Sequence, residues 1–176
     1  RTHPRRARAQ ETVHLVQRHV TITIKVDELD FVENSIVGEQ RTGETLGYRT
    51  GLADFAFAMQ GLGSGPVVIA GTPEQKAKYL EKRITGQYGG TMVLTEPGAG
   101  SDAAAITTRA TLSDDGSHYL LNGTKSWVTN GGLADLFTVF ARTTPQDSGS
   151  KPKITAFLVD RGPGVSVGPN EPKLGI

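Results

Sequence analysis

The chain has 176 residues, 36% of them hydrophobic and 21% charged, with a net charge of +1. That is room for one medium domain or two small ones, and it implies no acidic or basic polymer, nucleic acid included, as a partner. With no cysteine, disulfides, thiolate metal sites and cysteine nucleophiles are excluded, so redox chemistry needs a cofactor. No run reaches the ~18 apolar residues that span a bilayer, and no signal-peptide core is present.

Residues 1–19 carry Arg1, Arg5, Arg6, Arg8 and Arg18 against one acid, Glu11. A frayed or partly helical basic end is expected. A transit-peptide remnant is the alternative, although the usual serines are missing. Residues 20–26 alternate apolar and polar and read as a strand. Residues 27–46 are polar and aperiodic and read as a loop. The alanine-rich residues 52–59 predict a buried helix that stops at Gly61 or Gly63, with Gly65 and Pro66 completing the break. Residues 67–70 then begin another helix or a short strand. Thr72-Pro73-Glu74-Gln75 is a capping box with proline at the first helical position. It predicts a helix to Gly86 whose Lys76, Lys78, Lys82 and Arg83 form a solvated face.

From Gly89 the texture changes to short β-branched runs: 91–95, 105–112, 117–121, 124–129, 136–142, 153–160 and 165–169. Asp114-Asp115-Gly116 and Asn122-Gly123 are hairpin signals. The fold class is α+β: a helical segment followed by an antiparallel sandwich or barrel, with the break near residues 86–90. There is no internal repeat. The chain opens on Arg1 and closes on the apolar Leu174-Gly175-Ile176, so further sequence is expected on the C-terminal side.

Two stretches hold the chemistry. Residues 92–102, MVLTEPGAGSD, run an apolar strand into a Pro/Gly turn crowded with hydroxyls. Residues 125–131, KSWVTNG, put the only tryptophan two places before a threonine. An aromatic wall, hydroxyl and amide donors, and a glycine turn that admits close approach suit a flat, polar-edged cofactor. Trp127 alone reads first as core or interface packing. Gly98–Ala103 fits G-x-G-x-x-A, but a dinucleotide loop needs a following helix, and residues 105–112 are rich in β-formers. Ser101, Asp102 and His118 lack the G-x-S-x-G elbow of a hydrolase. His14 and His19 fall off one helical face, which argues against a metal site.

These two stretches, with Asn122-Gly123-Thr124 leading into the second, resemble the middle β-domain of the acyl-CoA dehydrogenases. Residues 130–142 (NGGLADLFTVFAR), 153–161 (KITAFLVDR) and 173–176 are most similar to the very-long-chain branch. Residues 61–80 resemble the last helices of the family's N-terminal domain. The resemblance implies a division into 1–50, unassigned; 51–88, the end of a helical N-domain; and 89–176, the middle β-domain. The C-terminal helical bundle, with the family's catalytic Glu and an Arg that reaches FAD across a subunit interface, has no counterpart.

It also implies roles. Met92, Leu94, Thr95, Gly100, Ser101, Trp127, Val128 and Thr129 would bind FAD. Leu94 and Thr95 would meet the pyrimidine edge, Trp127 the ring face and Thr129 the N5 edge. Ser101 would touch FAD phosphate or the acyl-CoA. The implied activity is FAD-dependent α,β-dehydrogenation of a long-chain acyl-CoA to the trans-2-enoyl-CoA, in β-oxidation of fatty acids. No residue of the chain qualifies as the catalytic base, because Glu96 belongs to the turn and Asp135 to a strand start. The fragment alone is expected to be inactive. Implied partners are acyl-CoA, an electron-transfer flavoprotein and further copies of the whole protein, in a bacterial cytoplasm or a mitochondrion. An acyl-CoA oxidase and a non-catalytic β-module that binds acyl-CoA or protein are the competing readings.

Overall fold

The computed structural model describes residues 15–18, 21–22, 48, 51–84, 87–144 and 153–172. In chain order these form β1 (Leu15–Arg18), β2 (Thr21–Ile22), α1 (Gly51–Ala70), α2 (Pro73–Ile84), β3 (Gly90–Val93), β4 (Arg109–Leu112), β5 (His118–Asn122), β6 (Leu136–Arg142) and β7 (Ile154–Asp160). The expected loop over 27–46 lies outside the described residues, as do residues 1–14, 23–26 and 173–176.

The strands join in the order β1-β5-β4-β6-β7-β2, with β3 also paired to β6. The expected antiparallel pairing holds for β4–β5, β6–β7, β1–β5 and β2–β7. β3 lies parallel to β6, in the register Gly90↔Leu136 to Val93↔Val139. Hairpin signals report only neighbours in sequence, so this long-range parallel pair left no local trace.

The sheet is strongly curled. In a flat sheet β5 and β7, three places apart, would be roughly 14 Å from each other. Yet the rings of Tyr119 on β5 and Phe157 on β7 meet edge-on at 5.2 Å between centroids. β1 and β2 occupy opposite ends of the strand order, although only two residues separate them. The chain between Arg18 and Thr21 spans at most about 11 Å, so the two edges are drawn together. Residues 15–18 are therefore a strand, where a frayed or helical end was expected.

β6 and β7 are buried on both faces. Phe137, Val139, Ala141, Phe157 and Val159 face the interior with Val93, Ala110 and Leu121. Leu136 and Leu158 face the helices and pack on Val67 and Tyr79. Two-sided burial explains why these runs are continuously apolar.

The first helix corrects a sequence expectation. It does not stop at Gly61 or Gly63 but runs to Ala70 through Pro66. The reason is packing. A Cβ on Gly63 would stand 2.8 Å from the Gly90 carbonyl carbon and 2.9 Å from the Thr91 amide nitrogen. The buried Thr138 hydroxyl donates to the Gly63 carbonyl at 2.8 Å. Glycine here lets α1 lie against β3, and contact outweighs the glycine penalty of a helix interior. Gly63→Ala should therefore destabilise the chain by about 1–3 kcal/mol, as overpacking does. Urea unfolding checks this; a variant as stable as the parent would mean that α1 does not seat on β3.

The second helix begins as expected. The Thr72 amide donates to Gln75 Oε1 at 2.8 Å, and the Gln75 amide to Thr72 Oγ1 at 3.3 Å. Its basic residues are not simply solvated. Lys78 Nζ donates to Asp160 Oδ2 at 2.8 Å, and the Tyr88 hydroxyl donates to Asp160 Oδ1 at 2.9 Å. Partial burial works against the Lys78 charge, but the Asp160 carboxylate and the Tyr79 hydroxyl outweigh it and raise its pKa. Arg83 extends over Gly90 and fills the space a Cβ would take. Asp160, at the end of β7, thus ties α2 to the sheet.

Candidate functional site

The two motif stretches come together in space. β3 ends at Val93 and the chain enters a tight turn in which the Glu96 and Ala99 backbones bond reciprocally, at 3.0 and 3.1 Å. The chain then makes a short 3-10 turn at Ala103–Ala105 before β4. The expected strand over 105–112 is thus confined to Arg109–Leu112. This sequel to the G-x-G-x-x-A match is too short to be a crossover helix, so no dinucleotide loop is formed.

Residues 124–129, expected as a strand, are irregular, as are 165–169. The Asn122-Gly123 signal also serves another purpose. A Cβ on Gly123 would lie 2.7 Å from the Thr108 Cα, so glycine permits close passage here and no hairpin turn follows. The Asp114-Asp115-Gly116 signal is a true hairpin, with Gly116 at φ +68° joining β4 to β5.

The loop carrying Trp127 is fastened at several points. The Ser126 amide donates to the Thr95 carbonyl at 2.9 Å. The Thr91 hydroxyl donates to the Thr129 carbonyl at 2.6 Å. Lys125 Nζ donates to the Leu94 carbonyl at 2.8 Å and to Glu96 Oε1 at 2.9 Å. Farther along, Arg161 Nε donates to the Ala134 carbonyl at 2.6 Å and Nη2 to the Gly131 carbonyl at 2.7 Å. The Arg161 guanidinium lies 5.3 Å from the centre of the Phe137 ring.

Glu96 is the hub. Its carboxylate accepts from the amides of Thr107 and Thr108 at 2.6 and 2.9 Å, from both of their hydroxyls, and from Lys125. Glu96 is 4% exposed and the Lys125 side chain 10%, so the pair is largely shielded from water. Burial alone would raise the Glu96 pKa, but the Thr108, Lys125 and Thr107 donors outweigh it and hold the carboxyl down at about 2. Lys125 moves the other way from a simple partner: burial lowers its pKa more than Glu96 raises it. The pair's net gain is thus smaller than the carboxylate's own, and the carboxylate, with five donors, is the better-held member.

A depressed folded pKa stabilises above the unfolded value and loses its effect as pH falls. The Glu96 contribution should be complete above pH ~4.5 and vanish toward pH 2, on the order of 3 kcal/mol in all. Acid unfolding followed by circular dichroism checks this; stability flat between pH 5 and pH 2 would contradict it.

The structure places the expected site residues as follows. Met92 is half-buried on β3, and Leu94 and Thr95 follow it, also half-buried. Both of the latter carbonyls are taken, by Lys125 and Ser126. What they can offer a ligand edge is therefore donors, the Thr95 hydroxyl among them. Gly100 and Ser101 are exposed. A Cβ on Gly98 or Gly100 would meet nothing within 4 Å, so the turn faces open space. Val128 turns inward and packs on the sheet core. Thr129 is half-buried.

Trp127 is 72% exposed, which removes the core-packing reading and leaves that of interface packing. Its φ is +58°, a left-handed conformation that costs a bulky residue about 1–2 kcal/mol. An exposed tryptophan gives the fold little in return for that cost. Strain of this kind belongs at functional sites. Among the described residues, the hydroxyls of Thr95, Ser101 and Thr129 bond to no other protein group. The donor set and the open aromatic face fit a flat ring with a polar edge.

Other candidates fall away. His118 is half-buried, with Nδ1 2.8 Å from Ser117 Oγ and 3.9 Å from Asp115 Oδ1. It belongs to the β4–β5 turn and is not joined to Ser101. His14 and His19 lie outside the described residues. Asp135 Oδ2 accepts from the Gly89 amide at 2.9 Å. Sequence reading missed Glu96, Lys125, Thr91 and Arg161 as site builders. The one available signal was a carboxylate set inside an apolar strand and Pro/Gly turn.

Comparison with known proteins identifies relatives of this chain. Residues 91–176 match the family model of the acyl-CoA dehydrogenase middle domain. The chain is 50% identical over 123 residues to the human mitochondrial very long-chain specific acyl-CoA dehydrogenase, a match covering 68% of this chain and 19% of that protein. A probable acyl-CoA dehydrogenase of Bacillus subtilis is 39% identical over 150 residues, 84% of this chain and 23% of its own. Among solved structures, an acyl-CoA dehydrogenase complexed with FAD from Bacillus anthracis is similar with a TM-score of 0.62 and 41% identity, over 69% of this chain and 21% of that one. The chain spans about a fifth of the length of these relatives.

Proposed function

We propose, for a chain that belongs to the acyl-CoA dehydrogenase family, that its sheet and the two fastened loops form one wall of an FAD and acyl-CoA site. The site would serve α,β-dehydrogenation of a long-chain acyl-CoA to the trans-2-enoyl-CoA. The observation that carries this reading is Trp127: exposed, held at φ +58°, and joined through Ser126 to the hydroxyl-bearing turn at Thr95. When bound, FAD supplies the hydride acceptor that no side chain of this chain can provide.

The residues have distinct tasks. Trp127 covers a ring face and keeps water from it. The hydroxyls of Thr95 and Thr129 would supply hydrogen-bond donors to the polar edge of the ring. Ser101, on the exposed side of the Gly98–Gly100 turn, is placed for a phosphate or thioester oxygen. Met92, Leu94, Gly100 and Val128 shape the wall. No proton abstraction is assigned to this chain, because Glu96 and Asp135 are spent on Thr107, Thr108, Lys125 and Gly89. We place 51–88 as the end of a helical N-domain and 89–176 as the middle β-domain. An electron-transfer flavoprotein, further copies of the whole protein and a mitochondrial or bacterial setting complete the proposal.

The 176-residue chain should bind FAD weakly and show little or no turnover of a long acyl-CoA. Anaerobic incubation with palmitoyl-CoA, FAD and an excess of an artificial electron acceptor, with enoyl-CoA read at the end, tests this. Turnover at the rate of a complete dehydrogenase would overturn the assignment of the base elsewhere. A folded chain with no FAD affinity at all would favour the non-catalytic module.

A further inference from the structure

The buried Glu96–Lys125 pair has a place that its stability value does not explain. It stands between the turn that offers Thr95 and Ser101 and the loop that offers Trp127 and Thr129. Lys125 Nζ reaches across from the loop to the Leu94 carbonyl and the Glu96 carboxylate of the turn, at 2.8 and 2.9 Å. Glu96 in turn holds Thr107 and Thr108 on the approach to β4. The residue after Lys125 donates its amide to Thr95, and the one after that is the strained tryptophan.

A left-handed tryptophan that is mostly exposed needs its neighbours to over-determine it. On its C-terminal side, the Thr91 hydroxyl holds the Thr129 carbonyl and Arg161 holds those of Gly131 and Ala134. On its N-terminal side, Lys125 is the only side chain among the described residues that fastens the loop to the turn. With both ends held, the aromatic face is set before any ligand arrives, and less ordering remains to be done on binding.

We propose that Glu96 and Lys125 are positioning residues of the flavin wall: the pair sets the separation and orientation of the Trp127 loop against the Thr95–Ser101 turn. This rests on the flavin reading above, but it makes a claim about the loop that can be measured without FAD. Trp127 is the only tryptophan, so its fluorescence reports the loop alone.

The test compares the parent chain with Lys125→Met, Glu96→Gln and the double variant Glu96→Gln/Lys125→Met. Each single change leaves a buried polar group without its partner and should lower the melting temperature. The double change removes both charges and should recover the part of that loss that comes from an unpaired buried charge. If the pair only stabilises, the double variant should also recover the parent's time-resolved Trp127 anisotropy. If the pair positions, Trp127 should stay mobile in the recovered double variant, and FAD affinity should fall at least about tenfold.

A double variant with parent-like melting and parent-like anisotropy would overturn the proposal, whatever FAD does. A parent chain that shows the anisotropy difference but binds no FAD would overturn the flavin reading and keep the positioning claim. Should the double variant not fold, hydrogen exchange of the Ser126 amide in the parent decides. Strong protection is expected from an anchored loop, and exchange as fast as in an open loop would overturn the proposal.

Discussion

Glu96→Gln is expected to destabilise the chain by about 3–5 kcal/mol, the cost of breaking a buried ion pair from one side. Glutamine matches the shape but changes the chemistry. Its NH₂ group faces donors that the carboxylate was accepting from, and the Lys125 ammonium stays buried without its counter-charge, beside the Leu94 carbonyl. Either Thr107 or Thr108 loses the acceptor that holds the approach to β4, because only one carboxylate oxygen survives as the amide oxygen. A domain of this size has roughly 5–15 kcal/mol in all, so the loss is a large share. Urea unfolding measures it directly. A loss under about 1 kcal/mol would mean that water reaches the pair and that the exposed-pair value applies.

Trp127→Gly should have the opposite profile: little change in stability and a large change in binding. The ring is mostly in solvent, so its removal gives up little burial. Glycine adopts φ near +58° freely, and that relief offsets its own backbone entropy cost, leaving a net change within about 1 kcal/mol. FAD, on the proposed reading, would lose its stacking surface. An aromatic face of this kind is worth about 1.5 kcal/mol, which makes the expected drop in affinity roughly tenfold or more. Flavin absorbance in equilibrium dialysis reads it. An unchanged affinity would take Trp127 out of the wall, and a collapse in stability would return it to the core-packing role.

Legibility in the sequence followed the range of the interactions. The α2 capping box and the Asp114-Asp115-Gly116 hairpin were readable because each is complete within a few residues. The continuation of α1 through Gly61, Gly63 and Pro66 was not, since its cause lies in Gly90 and Thr138, far along the chain. The same holds for the parallel β3–β6 pair and for the curl that brings Tyr119 to Phe157. At the site, the motif drew attention to the exposed Ser101 and Trp127 and the half-buried Thr95 and Thr129. It gave no view of the inward layer of Thr91, Glu96, Lys125 and Arg161. Those contacts join segments up to 38 residues apart, and no local pattern encodes such a meeting. Asn122-Gly123 shows the converse error: a turn signal that in the fold admits the Thr108 backbone.

The central claim, that Trp127 and the Thr95–Ser101 turn form a flavin wall, is tested most directly by titrating FAD into the chain and watching its one tryptophan. The account predicts weak but saturable quenching of Trp127 emission, accompanied by a shift of the flavin absorbance bands and lost when Thr95→Val and Thr129→Val are combined. Emission that stays constant in a folded chain up to millimolar FAD, or quenching that rises linearly without saturation and is unaffected by those substitutions, would contradict it.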